Sequence, residues 1–252
     1  MTKPTPDWRK QITDALNRFT KDTEGFTLTI AHDDGLYRHM LFRAPEYTFG
    51  SYWFDLHTAP GTLTFRGDMG TWVFSRTEDM FSFFRVHQDR PGYGINPSYW
   101  AEKVIARDRH GDTDEYDRHV LARAVHERAV QYAEWKWPIG DDGEDRDLAL
   151  AARAAFYRAV VREVLQSDEL SYDHGNGDEA VSFLMEWTYE EPDRPRFVYS
   201  KWKLHRPFDE AYEFGRTSLG SHYLWACHAI AWGIDQYDRA VAGDTDTSSV
   251  PA

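Results

Sequence analysis

Between residues 26 and 75 the chain alternates apolar and polar residues with a period of two. Short turn sequences separate the alternating runs, and His32-Asp33-Asp34-Gly35 and Pro60-Gly61 are the clearest of them. A period of two places successive side chains on opposite faces of a strand. Connections this short leave no room for a crossover helix, so neighbouring strands run antiparallel. The segment therefore predicts an antiparallel sheet of about five strands.

Helical spacing of apolar residues marks most of the remaining chain. Residues 7–22 repeat apolar side chains at intervals of three and four, which predicts an amphipathic N-terminal helix. Longer helices are predicted over residues 116–135, 146–166 and 218–240. The last of them is apolar on nearly every side, which is typical of a helix in a core. Residues 179–189 fit either a helix or a strand, and residues 197–204 fit a strand.

These patterns together predict an α+β fold. We expect an N-terminal helix and an antiparallel β-sheet packed against a C-terminal α-helical half. A chain of 252 residues is long enough to form one large domain. We expect a single α+β domain over residues 1–242, β-rich over 1–90 and helical over 97–242. The tail over 243–252 is rich in Gly, Asp, Thr and Ser, and is expected to be disordered.

Charge and cysteine content restrict the setting and the partners. The chain carries 42 acidic and 29 basic residues, a formal net charge of −13. Phosphate backbones repel such a chain, so direct binding of nucleic acid is not expected. Cys227 is the only cysteine, which excludes an intramolecular disulfide and fits a reducing compartment. We see no signal peptide and no run of ~18 apolar residues, so we expect a cytoplasmic protein that does not bind membranes.

The histidines do not show the spacing of a metal site. His119 and His126 share a helix face, but they lie seven residues apart, about 10.5 Å along the axis. His222 and His228 point in different directions from the last helix, and a buried Cys227 beside a hydrogen-bonded His228 is the expected arrangement. Glycine-rich phosphate loops, nucleophile elbows and zinc-protease motifs are absent. We therefore expect no metal and no cofactor, and we assign no catalytic residue.

Residues 163–193 differ from the rest of the chain in charge. They include ten acidic residues and no Lys or Arg, and so account for −10 of the net −13. Aliphatic and aromatic residues alternate with the acids, which is typical of a folded surface rather than an acidic tail. We expect the binding surface to consist of Asp168, Glu169, Asp173, Asp178, Glu179, Glu186, Glu190 and Glu191. The alternative is a solvated acidic surface that maintains solubility.

Several stretches outside this acidic segment are similar in sequence to one group of proteins. They are Asp33–His39, Gly67–Arg76, Asp79–Phe81, Phe83–Arg85, Ile95–Lys103 and Trp225–Tyr237. Together they resemble a family of bacteriophage- and prophage-encoded proteins that has no assigned activity. The resemblance covers most of the chain except the acidic middle. It implies a setting, the cytoplasm of an infected bacterium, and no mechanism.

The setting and the acidic segment lead to one main functional hypothesis. We expect a phage accessory protein, a monomer or small homo-oligomer, that binds and inhibits a host defence factor of the anti-CRISPR or anti-restriction type. The partner would be a host protein with a nucleic-acid-binding groove, which the carboxylates occupy as a nucleic-acid mimic. One alternative is a small-molecule or nucleotide-processing enzyme that uses polar residues at the turns of the sheet, namely Asp33, Asp34, His39, Asp68 and Arg76. Another is a phage structural or morphogenesis protein.

Overall fold

The chain forms two compact units. The computed structural model describes residues 8–44, 52–86, 94–109, 111–140, 143–170, 177–191 and 204–243. The first unit comprises Met1–Glu115 and Leu219–Ala252, and the second comprises Tyr116–Ser218. The α+β class is confirmed. The single domain over residues 1–242 stays a prediction, and the C-terminal helix groups with the sheet rather than with the helices that precede it.

Ten strands lie in the described ranges, and six of them form one antiparallel sheet. The six are β1 (Thr27–Asp34), β2 (Tyr37–Arg43), β3 (Trp53–Ala59), β4 (Thr62–Gly67), β5 (Gly70–Ser75) and β6 (Val104–Arg107). Each pairs with its neighbours in sequence, in the order β1-β2-β3-β4-β5-β6. The first five confirm the strands predicted from the period of two. Strand β6 lies in the part expected to be helical, and its four residues are too few to show a period.

The other four strands are short and form two small sheets. They are β7 (Asp114–Tyr116), β8 (Tyr189–Glu190), β9 (Leu204–His205) and β10 (Thr217–Leu219). Strand β7 pairs with β10, and β8 pairs with β9. Strand β9 begins at Leu204, the last residue of the strand expected over 197–204, and the rest of that prediction lies outside the described residues.

Seven α-helices lie in the described ranges. They are α1 (Trp8–Asp22), α2 (Met80–Phe84), α3 (Pro97–Ala101), α4 (Arg118–Lys136), α5 (Gly143–Ala159), α6 (Gly177–Glu186) and α7 (Ser221–Ala242). A π-helical turn, Val160–Leu165, continues α5, so all four helices predicted from apolar spacing are confirmed. The ambiguous segment over 179–189 is mostly helix α6. The tail predicted to be disordered lies outside the described residues from 244 onward.

The core of the first unit lies between the sheet and helices α1 and α7. Alternate residues of β2 to β5 are buried on one face, as the period of two requires, and Phe42, Leu56 and Trp72 are among them. Helix α7 contacts α1, β1 and β3. Eleven of its residues are buried, which confirms the prediction that it lies in a core. The opposite face of the sheet carries the polar residues of the alternation.

The core of the second unit is formed by its helices. Leu121 of α4, Phe156 of α5 and Leu184 of α6 are fully buried in one apolar cluster, together with Val164 of the π-helical turn and Phe208. Every helix in the described ranges of the two units is too short or too polar to cross a lipid bilayer.

Candidate functional site

The predicted acidic residues lie on three consecutive elements of the second unit. Asp168 and Glu169 begin a 3-10 turn over Asp168–Leu170, which contacts α6. Asp178, Glu179 and Glu186 lie on α6, whereas Glu190 and Glu191 lie on and directly after β8. Asp173 lies outside the described residues.

Helix α6 separates its acidic residues from its buried ones. At about 100° per residue, Asp178, Glu179 and Glu186 fall within an arc of about 100°. Ala180 and Leu184 are buried on the opposite side of the helix. All three carboxylates are exposed. The packing of α6 therefore directs them to solvent, which the sequence alone did not show because the segment fitted either a helix or a strand.

Most of these carboxylates have no cationic partner among the described residues. Asp178 Oδ1 lies 3.0 Å from the guanidinium Nη2 of Arg216. Asp168, Glu169, Glu179, Glu186 and Glu190 are exposed and form no ion pair within the described ranges. The exposed carboxylates of Asp168, Glu169, Asp178, Glu179, Glu186 and Glu190 are called the acidic surface below.

Glu191 differs from the other acidic residues, because it lies against a buried imidazole. Its Oε1 accepts a hydrogen bond from the indole Nε1 of Trp137 at 3.3 Å, and its Oε2 lies 3.8 Å from Nε2 of His205. The imidazole is 3% exposed, and its Nδ1 lies 3.0 Å from the hydroxyl of Tyr132. Burial lowers the pKa of His205, and the positive charge of Lys136 lowers it further. Glu191 raises this pKa. Glu191 is therefore an internal partner and not part of the acidic surface.

A cavity opens beside Tyr132 in the second unit. Its volume is about 810 Å³, which is within the size range of small-molecule pockets. Its lining includes the aromatic face of Trp135, which is 73% exposed, and the guanidinium groups of Arg128 and Arg206. Arg128 is held by the carbonyl of Pro207 at 3.1 Å and by Glu210 at 3.2 Å, whereas Arg206 forms no ion pair within the described residues. The cavity combines a flat apolar surface with two guanidinium groups and the carboxylate of Asp209.

Three histidines lie in a row on the polar face of the sheet in the first unit. His32 of β1 is the direct partner of His39 on β2, which in turn is the partner of His57 on β3. The rings of His39 and His57 stack with centroids 3.9 Å apart. Asp55 precedes His57 by two residues and so lies on the same face. The donor atoms of His39, Asp55 and His57 all lie within 4.8 Å of one another. We call these three residues the His-Asp-His cluster.

Positive charge surrounds the carboxylate of this cluster. Asp55 is 5% exposed, and its Oδ1 lies 2.6 Å from Nη2 of Arg43. The guanidinium groups of Arg43 and Arg66 lie over the ring of Trp53, at 4.9 Å and 5.2 Å from its centroid. Burial lowers the pKa of His57, and His39 and Arg66 lower it further, while Asp55 raises it. The His57 imidazole is therefore held in its neutral form near neutral pH.

The residues of the enzyme hypothesis have separate partners. Asp33 accepts a hydrogen bond from the hydroxyl of Tyr237 at 3.1 Å. Asp68 accepts one from the backbone N–H of Trp53 at 2.9 Å, and His39 stacks on His57. No hydrogen bond or ion pair joins any two of Asp33, Asp34, His39, Asp68 and Arg76 in the described part of the chain. Of that set, only His39 belongs to a group of convergent donors.

Comparison with known proteins adds no assignment. No family model matches the chain, and no curated protein or solved structure matches it either. The resemblance to phage-encoded proteins therefore stays a prediction.

Sequence reasoning missed the His-Asp-His cluster. Helical spacing, in which ligands recur every fourth residue, does not relate His39 to His57, because both lie on strands. The useful signal was Asp55-Leu56-His57 within an alternating strand, since two residues at that spacing share a face. His39 was placed on a strand, but its alignment with His57 depends on strand register, which the sequence does not display.

Proposed function

We propose that this chain is a phage accessory protein of the bacterial cytoplasm that binds a host defence protein and blocks its nucleic-acid-binding groove. The observation that supports this proposal is the acidic surface. Its carboxylates are exposed on consecutive elements, and five of the six lack a cationic partner in the described residues. They are therefore available to lysines and arginines of another protein.

Electrostatic complementarity of this kind acts mainly on specificity and on the rate of association. A groove that binds phosphates presents Lys and Arg at short intervals, and a row of carboxylates meets the same requirement. Exposed charges are screened by salt, with a Debye length of about 10 Å at 0.1 M. Binding through the acidic surface should therefore weaken steeply as the salt concentration rises.

A nuclease protection assay tests the proposal. Host restriction and CRISPR effector nucleases would cleave labelled DNA with and without the protein, at ~50 mM and ~200 mM salt. The wild type is expected to inhibit at least one of them at the lower salt concentration. A triple variant, Glu179→Gln, Glu186→Gln and Glu190→Gln, should inhibit roughly tenfold less well, because it loses three unpaired charges.

A matched control separates the acidic surface from net charge. Glu127, Glu134 and Asp147 are exposed residues of the same unit that lie outside the acidic segment. Replacing them with Gln, Gln and Asn removes the same three charges. Inhibition should persist in this control. Equal loss in both triple variants, or no inhibition of any nuclease at low salt, would refute the proposal.

A second candidate function is small-molecule binding, which the cavity beside Tyr132 favours. A planar anion such as a nucleotide fits this lining, because its ring can stack on Trp135 and its phosphate can contact Arg206. Isothermal titration with nucleoside mono- and triphosphates tests it, with Trp135→Ala and Arg206→Gln as variants. Binding that both variants weaken would support a ligand site, and binding that neither affects would exclude this cavity.

A further inference from the structure

We propose that His39, Asp55 and His57 bind one divalent first-row transition-metal ion on the polar face of the sheet. The inference goes beyond the proposed function and is independent of it, because the cluster lies in the first unit and the acidic surface in the second.

The donor chemistry selects this class of ion. Two imidazoles and one carboxylate form a set that suits Zn²⁺, Fe²⁺, Co²⁺ and Ni²⁺. Calcium and magnesium prefer oxygen donors throughout, so two imidazoles disfavour them. Three protein ligands leave at least one coordination position for water, as in an open rather than a closed metal site.

Strand pairing fixes the backbone positions of all three donors. His39 and His57 are direct partners across β2 and β3, and Asp55 is the next residue of β3 on the same face. Opposite side chains in such a pair have Cβ atoms about 5 Å apart, which is suitable for sharing one ion. Donor atoms around a tetrahedral zinc lie about 3.4 Å apart. The atoms here lie within 4.8 Å, so side-chain rotation that unstacks the two rings closes the site without moving the strands.

Two features of the cluster leave donor atoms available to a metal ion. The Nε2 atom of His39 is buried and has no hydrogen-bond partner in the described residues. Such an atom is rare in proteins and destabilising unless something binds it. The Asp55 carboxylate is almost fully buried, and its Oδ1 lies 2.6 Å from Nη2 of Arg43. A carboxylate has about four acceptor positions, so Arg43 and a metal ion can share it.

Titration of chelator-treated, tag-free protein tests the proposal. Zn²⁺ would be added in a calorimeter, and Co²⁺ would be followed by visible d–d absorption, whose intensity reports the coordination geometry. The expected result is one ion per chain at neutral pH. His39→Ala and His57→Ala should each weaken binding at least roughly tenfold and alter the cobalt spectrum. His119→Ala and His222→Ala remove exposed histidines elsewhere and should change neither.

An exposed cation near the cluster gives a test that does not depend on removing a ligand. Arg66 is exposed and is the direct partner of Asp55 across β3 and β4, so its charge lies beside the site. Arg66→Gln should tighten metal binding by roughly three- to tenfold, because it removes electrostatic repulsion of a divalent ion. An ion bound elsewhere on the chain would not respond to this substitution. Circular dichroism checks that each variant is folded.

Three outcomes would overturn the proposal. They are the absence of Zn²⁺ and Co²⁺ binding to the folded wild type, one-to-one binding that survives both His39→Ala and His57→Ala, and binding in Arg66→Gln that is unchanged or weaker. None of them bears on the acidic surface, so failure here leaves the proposed function intact.

Discussion

Gly233 of helix α7 lies directly over Phe42 of strand β2. A Cβ atom at Gly233 would lie 2.9 Å from Cζ of Phe42, and also 2.9 Å from Cδ1 of Leu56. Both neighbours are fully buried in the core of the first unit. The close approach of α7 to the sheet therefore requires a residue without a side chain at this position.

Gly233→Ala is expected to destabilise the protein. Alanine gains up to about 1 kcal/mol of helix propensity over glycine. Overpacking a filled core costs about 1–3 kcal/mol, and the two contacts leave no space for the methyl group. We expect the free energy of unfolding to fall by about 1–2 kcal/mol, measured by urea denaturation. Gly143→Ala is the matched control, because nothing lies within 4 Å of its Cβ position and it begins α5. A control as destabilising as Gly233→Ala would contradict this account.

Arg85 and Asp238 connect α7 to the residue that follows α2. Two nearly parallel contacts join them, Nε to Oδ2 at 2.7 Å and Nη2 to Oδ1 at 2.9 Å. Both side chains are more than one third exposed, so the pair is screened by solvent. A double-mutant cycle with Arg85→Gln and Asp238→Asn should give a coupling energy of about 0.5–1 kcal/mol that decreases with added salt. A coupling near zero would show that the pair does not contribute to stability.

Buried His228 predicts a specific loss of stability in mild acid. Its Nε2 donates a hydrogen bond to the carbonyl of Ile12 at 3.1 Å, and burial lowers its pKa from 6.5 to about 4. Between these two values the unfolded chain binds a proton that the folded chain does not. The contribution of neutral His228 to the free energy of unfolding is therefore fully present above about pH 6.5. It is lost as the pH falls toward 4.

Urea denaturation at pH 7.5 and pH 5 measures this effect. From the two pKa values, His228 should account for about 2 kcal/mol of the loss in unfolding free energy between them. His228→Gln retains a donor for the Ile12 carbonyl but does not titrate. The unfolding free energy that this variant loses between pH 7.5 and pH 5 should therefore be smaller than that of the wild type by about 2 kcal/mol. His222→Gln removes an exposed histidine of the same helix and should behave as wild type. Identical pH dependence in all three proteins would rule out the prediction.

The period of two predicted five strands of the sheet but not its edge strand β6. Strands β1 to β5 each have enough residues to show alternation, and Gly35 and Gly61 adopt the positive φ that the expected turns require. Strand β6 has four residues and is separated from β5 by two helices, so neither its pattern nor its turn identified it. Pairing over that distance in sequence is decided by tertiary contacts.

The two candidate sites differ in how much of each the sequence showed. The charge of a segment is the sum of its residues, so the acidic segment is visible in the sequence. Only the structure shows which of its carboxylates face solvent. The His-Asp-His cluster depends on the register of β2 against β3. Nine residues separate Arg43 from Trp53, so no tight turn fixes that register. His57 becomes opposite His39 only when the core face of both strands is aligned.

Competition with DNA for one defence nuclease is the most direct test of the proposed function. Fluorescence anisotropy would follow labelled DNA bound to a catalytically inactive form of the nuclease that the protein inhibits. Added wild-type protein is predicted to release the DNA, and the Glu179→Gln, Glu186→Gln, Glu190→Gln variant to release it poorly. The Glu127→Gln, Glu134→Gln, Asp147→Asn control should match the wild type. A stable ternary complex, in which the protein binds while DNA stays in the groove, would contradict the account.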